Sequence, residues 1–314
     1  MTDALRELWW PLTRLLMGLA LGQLVAYLLE AMRWTRPLGR IGAPLARAAH
    51  LGEAAGAAFA LTFVSPAAAN SLLAQRHEAG RMSMRELVLA NLFNGLPAYI
   101  VHTPTIFLLV WGALGSPAFT YVGLTLVAAA GRTAFTILLA RRLLPAPPPG
   151  DEALPETDAV PPGEAVRRAW RRFLGRLPRL VCFTVPMYLL MYALQHMGAF
   201  AALEAWLGGT GGWLAAVKPQ AIGIVLLHLA AEFGAALGAA GGAMATGALT
   251  SQEIVLALMV GNILSTPMRA MRHQFPAYAG IFRPGPALRL LLANQALRAI
   301  SMCVMTAIYY ALCG

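Results

Sequence analysis

Long apolar runs separated by short polar segments dominate the chain. Six are long enough to be read as spanning helices, at about 8–32, 86–111, 117–140, 180–198, 253–268 and 286–312. A helix that crosses a bilayer needs about 20 mostly apolar residues. Two further runs, about 52–75 and 219–247, are apolar but crowded with small residues. Ser83 stands three residues before Glu86, and Thr250 three before Glu253. This is the sequence form of a capping box, so a helix is expected to open at each. Residues 142–166 break the pattern with seven prolines and five of the 14 acids. Such a composition predicts a solvated linker between two near-equal halves, 1–141 and 167–314.

Composition then fixes the class. The 314 residues are 58% hydrophobic and 12% charged, with a formal net charge of +10. Soluble domains carry about a quarter charged residues, so the reading is an all-α polytopic membrane protein. Cys182, Cys303 and Cys313 lie in or beside apolar runs without CxxC spacing, and no disulfide or zinc framework is expected. Basic grooves interleaved with aromatics are absent, which argues against nucleic acid as a partner.

The cations set an expected topology. Arginine clusters follow the first run (Arg33, Arg36, Arg40, Arg47), follow residues 52–75 (Arg76, Arg81, Arg85), flank the linker, and lie between the last two runs (Arg269, Arg272, Arg283, Arg289). If all face the cytoplasm, as the positive-inside bias demands, residues 52–75 leave and re-enter on one side. They form a re-entrant hairpin with Ser65-Pro66 at its tip. Between Leu180 and Met268 the single cation is Lys218, which places 199–251 outside and makes 219–247 a second hairpin. Trp9, Trp10, Tyr309 and Tyr310 read as interfacial aromatics near outside termini.

The halves also resemble each other. Glu86-Leu87-Val88-Leu89-Ala90 aligns with Glu253-Ile254-Val255-Leu256-Ala257, and Arg132 aligns with Arg298. Each half has three crossings and a hairpin; three is odd, so the halves are expected to be inverted. Inverted repeats with broken helices near the midplane are a transporter architecture.

The paired hairpin-plus-two-span layout joins three segments: Ser65-Pro66-Ala67-Ala68-Ala69-Asn70-Ser71, Asn91-Leu92-Phe93-Asn94-Gly95-Leu96-Pro97 and Gly261-Asn262-Ile263-Leu264-Ser265-Thr266-Pro267. Together they resemble the nucleoside recognition (Gate) domain superfamily, over roughly residues 8–141 and 170–312. That superfamily includes concentrative nucleoside transporters, the membrane part of ferrous iron transporters and spore maturation proteins. The resemblance implies a fold and a transport class, and it does not specify a solute.

Polar groups inside a bilayer are costly, so each is a candidate for function. Expected solute-binding residues are Ser65, Asn70 and Ser71 at the first hairpin, and Asn91, Asn94, His102 and Thr103 along the first broken helix. Asn262, Ser265 and Thr266 play that part in the second half. The bland alternative is that they satisfy interrupted backbone or join helices. Glu232, a lone acid in the second hairpin, is the candidate for Na⁺ or H⁺ coupling, or else a neutral acid bonded to the opposing repeat. Arg132 and Arg298 are buried charges that need partners. Glu86 and Glu253 are explained by their caps.

The function expected is secondary active transport of a small polar solute across the cytoplasmic (inner) membrane of a prokaryote, without a cofactor. Divalent metal transport is an alternative, which would bring His102 near Glu232 or Asn94. Another is a non-transporting partner or lipid-handling role for the basic face. Expected partners are the solute and membrane lipids, with a homo-oligomer left open. No catalytic constellation points to an enzyme, and no metal-ligand spacing is seen.

Overall fold

The computed structural model describes residues 35–146, 161–198, 219–230 and 233–313, with scattered positions between 9 and 32. Among these the protein is all-α. The helices are α1 (Thr35–Ala48), α2 (Glu53–Thr62), α3 (Pro66–Glu78), α4 (Met84–Phe93), α5 (Gly95–Leu114), α6 (Pro117–Leu143), α7 (Pro162–His196), α8 (Pro219–Ala230), α9 (Phe233–Ala245), α10 (Ser251–Arg269), α11 (Phe275–Phe282) and α12 (Pro284–Cys313). A π-helical turn, Ala270–Gln274, joins α10 to α11.

Among the described residues, four stretches are long and apolar enough to cross a membrane: Met84–Leu114, Pro117–Leu143, Ser251–Arg272 and Pro284–Leu312. They coincide with four of the six runs. The run at 8–32 is described at scattered positions only, while Trp10, Lys218 and Glu232 lie outside the described residues. The run at 180–198 is the distal part of α7, which starts at Pro162 inside the expected linker. Its basic half is helical too, and there Glu164 pairs with Arg168 one turn on, at 2.6 Å, an i,i+4 pair of opposite charge. Linker residues 147–160 lie outside the described residues.

Local signals place most boundaries. Ser65 Oγ accepts from Ala68 N–H at 3.2 Å and Pro66 fills the first turn, so α3 begins at the expected tip. Ser83 caps α4 in the same way through Glu86 N–H. At Thr250 both reciprocal bonds are present: Glu253 N–H to Thr250 Oγ1 at 3.4 Å and Thr250 N–H to the Glu253 carboxylate at 2.9 Å.

The chain divides into two compact units that are not its sequence halves. The first comprises 1–101, 132–190 and 273–294; the second comprises 102–131, 191–272 and 295–314. In the first, α1, α2, α3 and α4 pack around Leu51, Leu61, Leu72, Leu73, Leu87 and Phe93. Glycines let α1 and α2 touch: a Cβ on Gly42 would fall against the Gly56 backbone, 2.7 Å from its carbonyl carbon. Glu78, at the end of α3, pairs with Arg176 of α7 and with Arg283 at 3.6 Å. The first of these bonds holds the Arg176 guanidinium above its ordinary pKa. The second unit packs α8 and α9 on α10 around Val225, Leu237, Ile254, Leu258 and Met259.

Candidate functional site

Each unit carries its own buried polar cluster. In the first unit, α4 ends at Asn94 and α5 begins at Gly95, so the long apolar stretch is interrupted where the Asn-rich segment predicts. One turn before the break, the Asn91 amide links four helices. Its Nδ2 donates to Asn70 Oδ1 of α3 at 2.8 Å. Its Oδ1 accepts from Asn294 Nδ2 of α12 at 2.5 Å and from the Tyr278 hydroxyl of α11 at 3.4 Å. Asn294 also donates to the Leu290 carbonyl at 3.0 Å. Asn91 is thus almost fully satisfied, which is the condition for burying an amide without a large penalty.

Beside this network lie polar atoms without partners. Both amide atoms of Asn94, the Ser71 hydroxyl and Gln75 Nε2 are buried and make no hydrogen bond among the described residues. Each orphaned group costs about 1–3 kcal/mol, a cost that a polar ligand would remove.

In the second unit the centre is Asn262, 6% exposed and midway along α10. Its Nδ2 donates to the Tyr121 hydroxyl of α6 at 2.8 Å. Its Oδ1 accepts from two guanidiniums, Arg269 Nη2 at 2.8 Å and Arg298 Nη2 of α12 at 3.1 Å. Its carbonyl accepts from Ser265 Oγ, Thr266 Oγ1 and Arg269 Nη2 at 3.2, 2.9 and 3.1 Å. Pro267 brings no N–H to this turn. Across from it, His228 of α8 is 3% exposed, and neither ring nitrogen has a hydrogen-bond partner among the described residues. Phe233 closes the cluster, its ring 5.1 Å from that of His228 and 5.8 Å from that of Tyr121. Gly261 makes room for His228, since a Cβ there would lie 2.7 Å from Nδ1.

The expected site residues are distributed accordingly. Asn70 and Asn91 bond each other directly, and Asn94 and Ser71 are buried in the same unit. Ser65 serves as a helix cap, and Ser265 and Thr266 turn back onto their own helix. His102 is exposed on α5, and Thr103 beside it is half-buried. The two arginines expected to align between the sequence halves part company: Arg298 joins the Asn262 cluster of the second unit, while Arg132 belongs to the first. Glu232 lies outside the described residues. No group of three His, Cys, Asp or Glu among the described residues converges on a metal position.

Five participants escaped sequence reasoning: Tyr278, Asn294, Tyr121, His228 and Arg269. Asn294 and His228 were legible as polar residues within apolar helices. Arg269 was hidden among helix-end arginines that set topology, but it reaches back seven residues to Asn262.

Comparisons with known proteins add one relative and no function. The chain is 25% identical to the uncharacterised protein MJ0871 of Methanocaldococcus jannaschii over 236 residues, covering 75% of this chain and 73% of that protein. No family model matches the chain. No solved structure matches it either.

Proposed function

We propose that the protein is a secondary transporter of the Gate-domain type. It moves a small polar solute across the cytoplasmic membrane by alternating access and binds it where hairpins meet broken helices. In this reading 1–141 and 167–314 are inverted repeats, and α2/α3 and α8/α9 are re-entrant hairpins. Supporting the second point, α2 and α3 have 10 and 13 residues. At 1.5 Å per residue they reach about 15–20 Å, short of a hydrocarbon core of about 30 Å.

The observation that carries the proposal is the Asn91–Asn70 bond beside the Asn94–Gly95 break. It joins a short helix pair to an interrupted long helix, with orphaned polar atoms adjacent. Irregular backbone at membrane depth is tolerated where it is buried in protein or lines a cavity. Glu232 is the proposed coupling group for Na⁺ or H⁺.

The test is a thermal-shift screen of purified protein against nucleosides, amino acids, organic anions and metals, followed by counterflow of each hit in proteoliposomes. Counterflow that Asn91→Ala reduces and Glu232→Gln uncouples from the ion gradient supports the reading. Binding without counterflow of any hit refutes transport.

A further inference from the structure

Over residues 165–174, α7 presents three adjacent rows of side chains, each row made of residues four apart. Ala165, Ala169 and Phe173 form the buried row. Beside it run Val166, Trp170 and Leu174, which are 50%, 49% and 47% exposed. The next row is Arg167 and Arg171, both exposed. Successive residues lie about 100° apart around a helix. The apolar surface is therefore wider than the face the protein covers, and its open edge borders the arginines.

Packing fixes the depth of these rows. Ala169 and Phe173 share a buried cluster with Tyr27, and Leu24, Leu28 and Ala31 pack against it. These partners belong to the closing part of the apolar run at 8–32, just before Arg33 and Arg36. Where an apolar run gives way to arginines, a helix leaves the hydrocarbon for the headgroups. The exposed rows of α7 thus stand at the edge of the bilayer. There a tryptophan ring is well placed, and an arginine side chain reaches up to phosphate.

The nearby acids are spent elsewhere. Glu164 pairs with Arg168, and Glu78 with Arg176 and Arg283. Neither Arg167 nor Arg171 is bonded to an acid among the described residues. Residues four apart on a helix have Cβ atoms about 5–6 Å from each other, so two guanidiniums on this row can share one phosphate.

We propose that Arg167 and Arg171 bind the phosphodiester of an anionic phospholipid such as phosphatidylglycerol, with its acyl chains along Trp170 and Leu174. Phosphatidylcholine fits less well, because its choline brings a third cation to the pair. An acidic protein could satisfy the arginines, but the row of Val166, Trp170 and Leu174 meets acyl chains at this depth. The inference is independent of the transport reading and needs only that the apolar helices lie in a bilayer.

The test is tryptophan quenching in the full-length protein, reconstituted into mixed phosphatidylcholine and phosphatidylglycerol bilayers with bromine on the acyl chains of one lipid or the other. The Trp170 signal is the difference between wild type and Trp170→Phe. Brominated phosphatidylglycerol is expected to quench it at a lower mole fraction than brominated phosphatidylcholine. Arg167→Gln with Arg171→Gln should reduce this preference about fivefold for each arginine, the factor for a basic residue at an anionic surface. Arg167→Lys with Arg171→Lys guards against misfolding: it keeps the charge and should retain part of the preference. Arg141 and Arg142, exposed at the end of α6, provide the control, and replacing both by Gln should leave the preference unchanged.

An equal loss in the α6 pair would show a diffuse surface potential and overturn the site. Absence of any preference for phosphatidylglycerol overturns the lipid assignment. So does a Trp170 signal that neither lipid quenches, which would leave the arginines to an acidic protein. A preference that emerges only when Asp151, Glu152, Glu156 and Asp158 are replaced by Asn or Gln also overturns it, and assigns the arginines to the chain's own acidic linker.

Discussion

Gly261→Ala tests the geometry of the second cluster most directly. A Cβ at this position would lie 2.7 Å from His228 Nδ1, 2.8 Å from His228 Cβ and 2.9 Å from Cγ. Carbon atoms pack best at about 3.5–4.0 Å, so roughly 0.7–1.2 Å must be opened. Rotating the imidazole moves Nδ1 but leaves its Cβ in place, and therefore α8 itself must shift from α10. Overpacking of this kind costs about 1–3 kcal/mol. Alanine in a helix returns roughly 1 kcal/mol relative to glycine, which leaves a net loss of up to about 2 kcal/mol. Gly223→Ala is the matched control, because nothing lies within 4 Å of a Cβ there; it keeps the propensity gain without the clash. Fluorescence-monitored melting in detergent should rank Gly223→Ala at or above wild type and Gly261→Ala below it. Adding His228→Ala to Gly261→Ala removes two of the three close atoms and should recover part of the loss. A Gly261→Ala protein that melts with Gly223→Ala would refute the placement of His228 against α10.

Other expectations follow from the first unit. Gly42→Ala should lower the melting temperature more than Gly56→Ala, since its Cβ meets fixed backbone, whereas the nearest atoms to a Gly56 Cβ are 3.2–3.3 Å away; equal melts would contradict the α1–α2 crossing. Asn91→Leu removes the donor to Asn70 Oδ1 and an acceptor of Asn294 Nδ2, and a loss of about 1–3 kcal/mol in chemical unfolding is expected. Arg283 holds φ 65° and ψ 159°, a region almost confined to glycine; Arg283→Gly should raise the melting temperature despite losing an exposed partner of Glu78. Glu78→Gln should cost more than Arg283→Ala, because it also releases the half-buried Arg176; the reverse order in a melting series would refute the ion-pair assignment.

What the sequence determined by itself is the part governed by local physics. Apolar runs near 86–111, 117–140, 253–268 and 286–312 became long helices because a bilayer-length helix must be apolar throughout. Ser65, Ser83 and Thr250 started helices because their side chains satisfy first-turn N–H groups within three residues. The importance of Asn91 and Asn262 was legible too, since an amide in an apolar helix needs a partner. Which partner it finds was not. Asn91 is 203 residues from Asn294, and Asn262 is 141 from Tyr121. No periodicity encodes a hydrogen bond between such distant helices. The sequence halves suggested two repeats, but the compact units draw segments from both halves. Charge shows the division most clearly. Sequence assigns Arg269 to a basic helix end, whereas the fold turns it inward to share an amide oxygen with Arg298. An arginine's long side chain reaches several residues along its own helix, so its sequence position fixes its charge and leaves its address to tertiary packing.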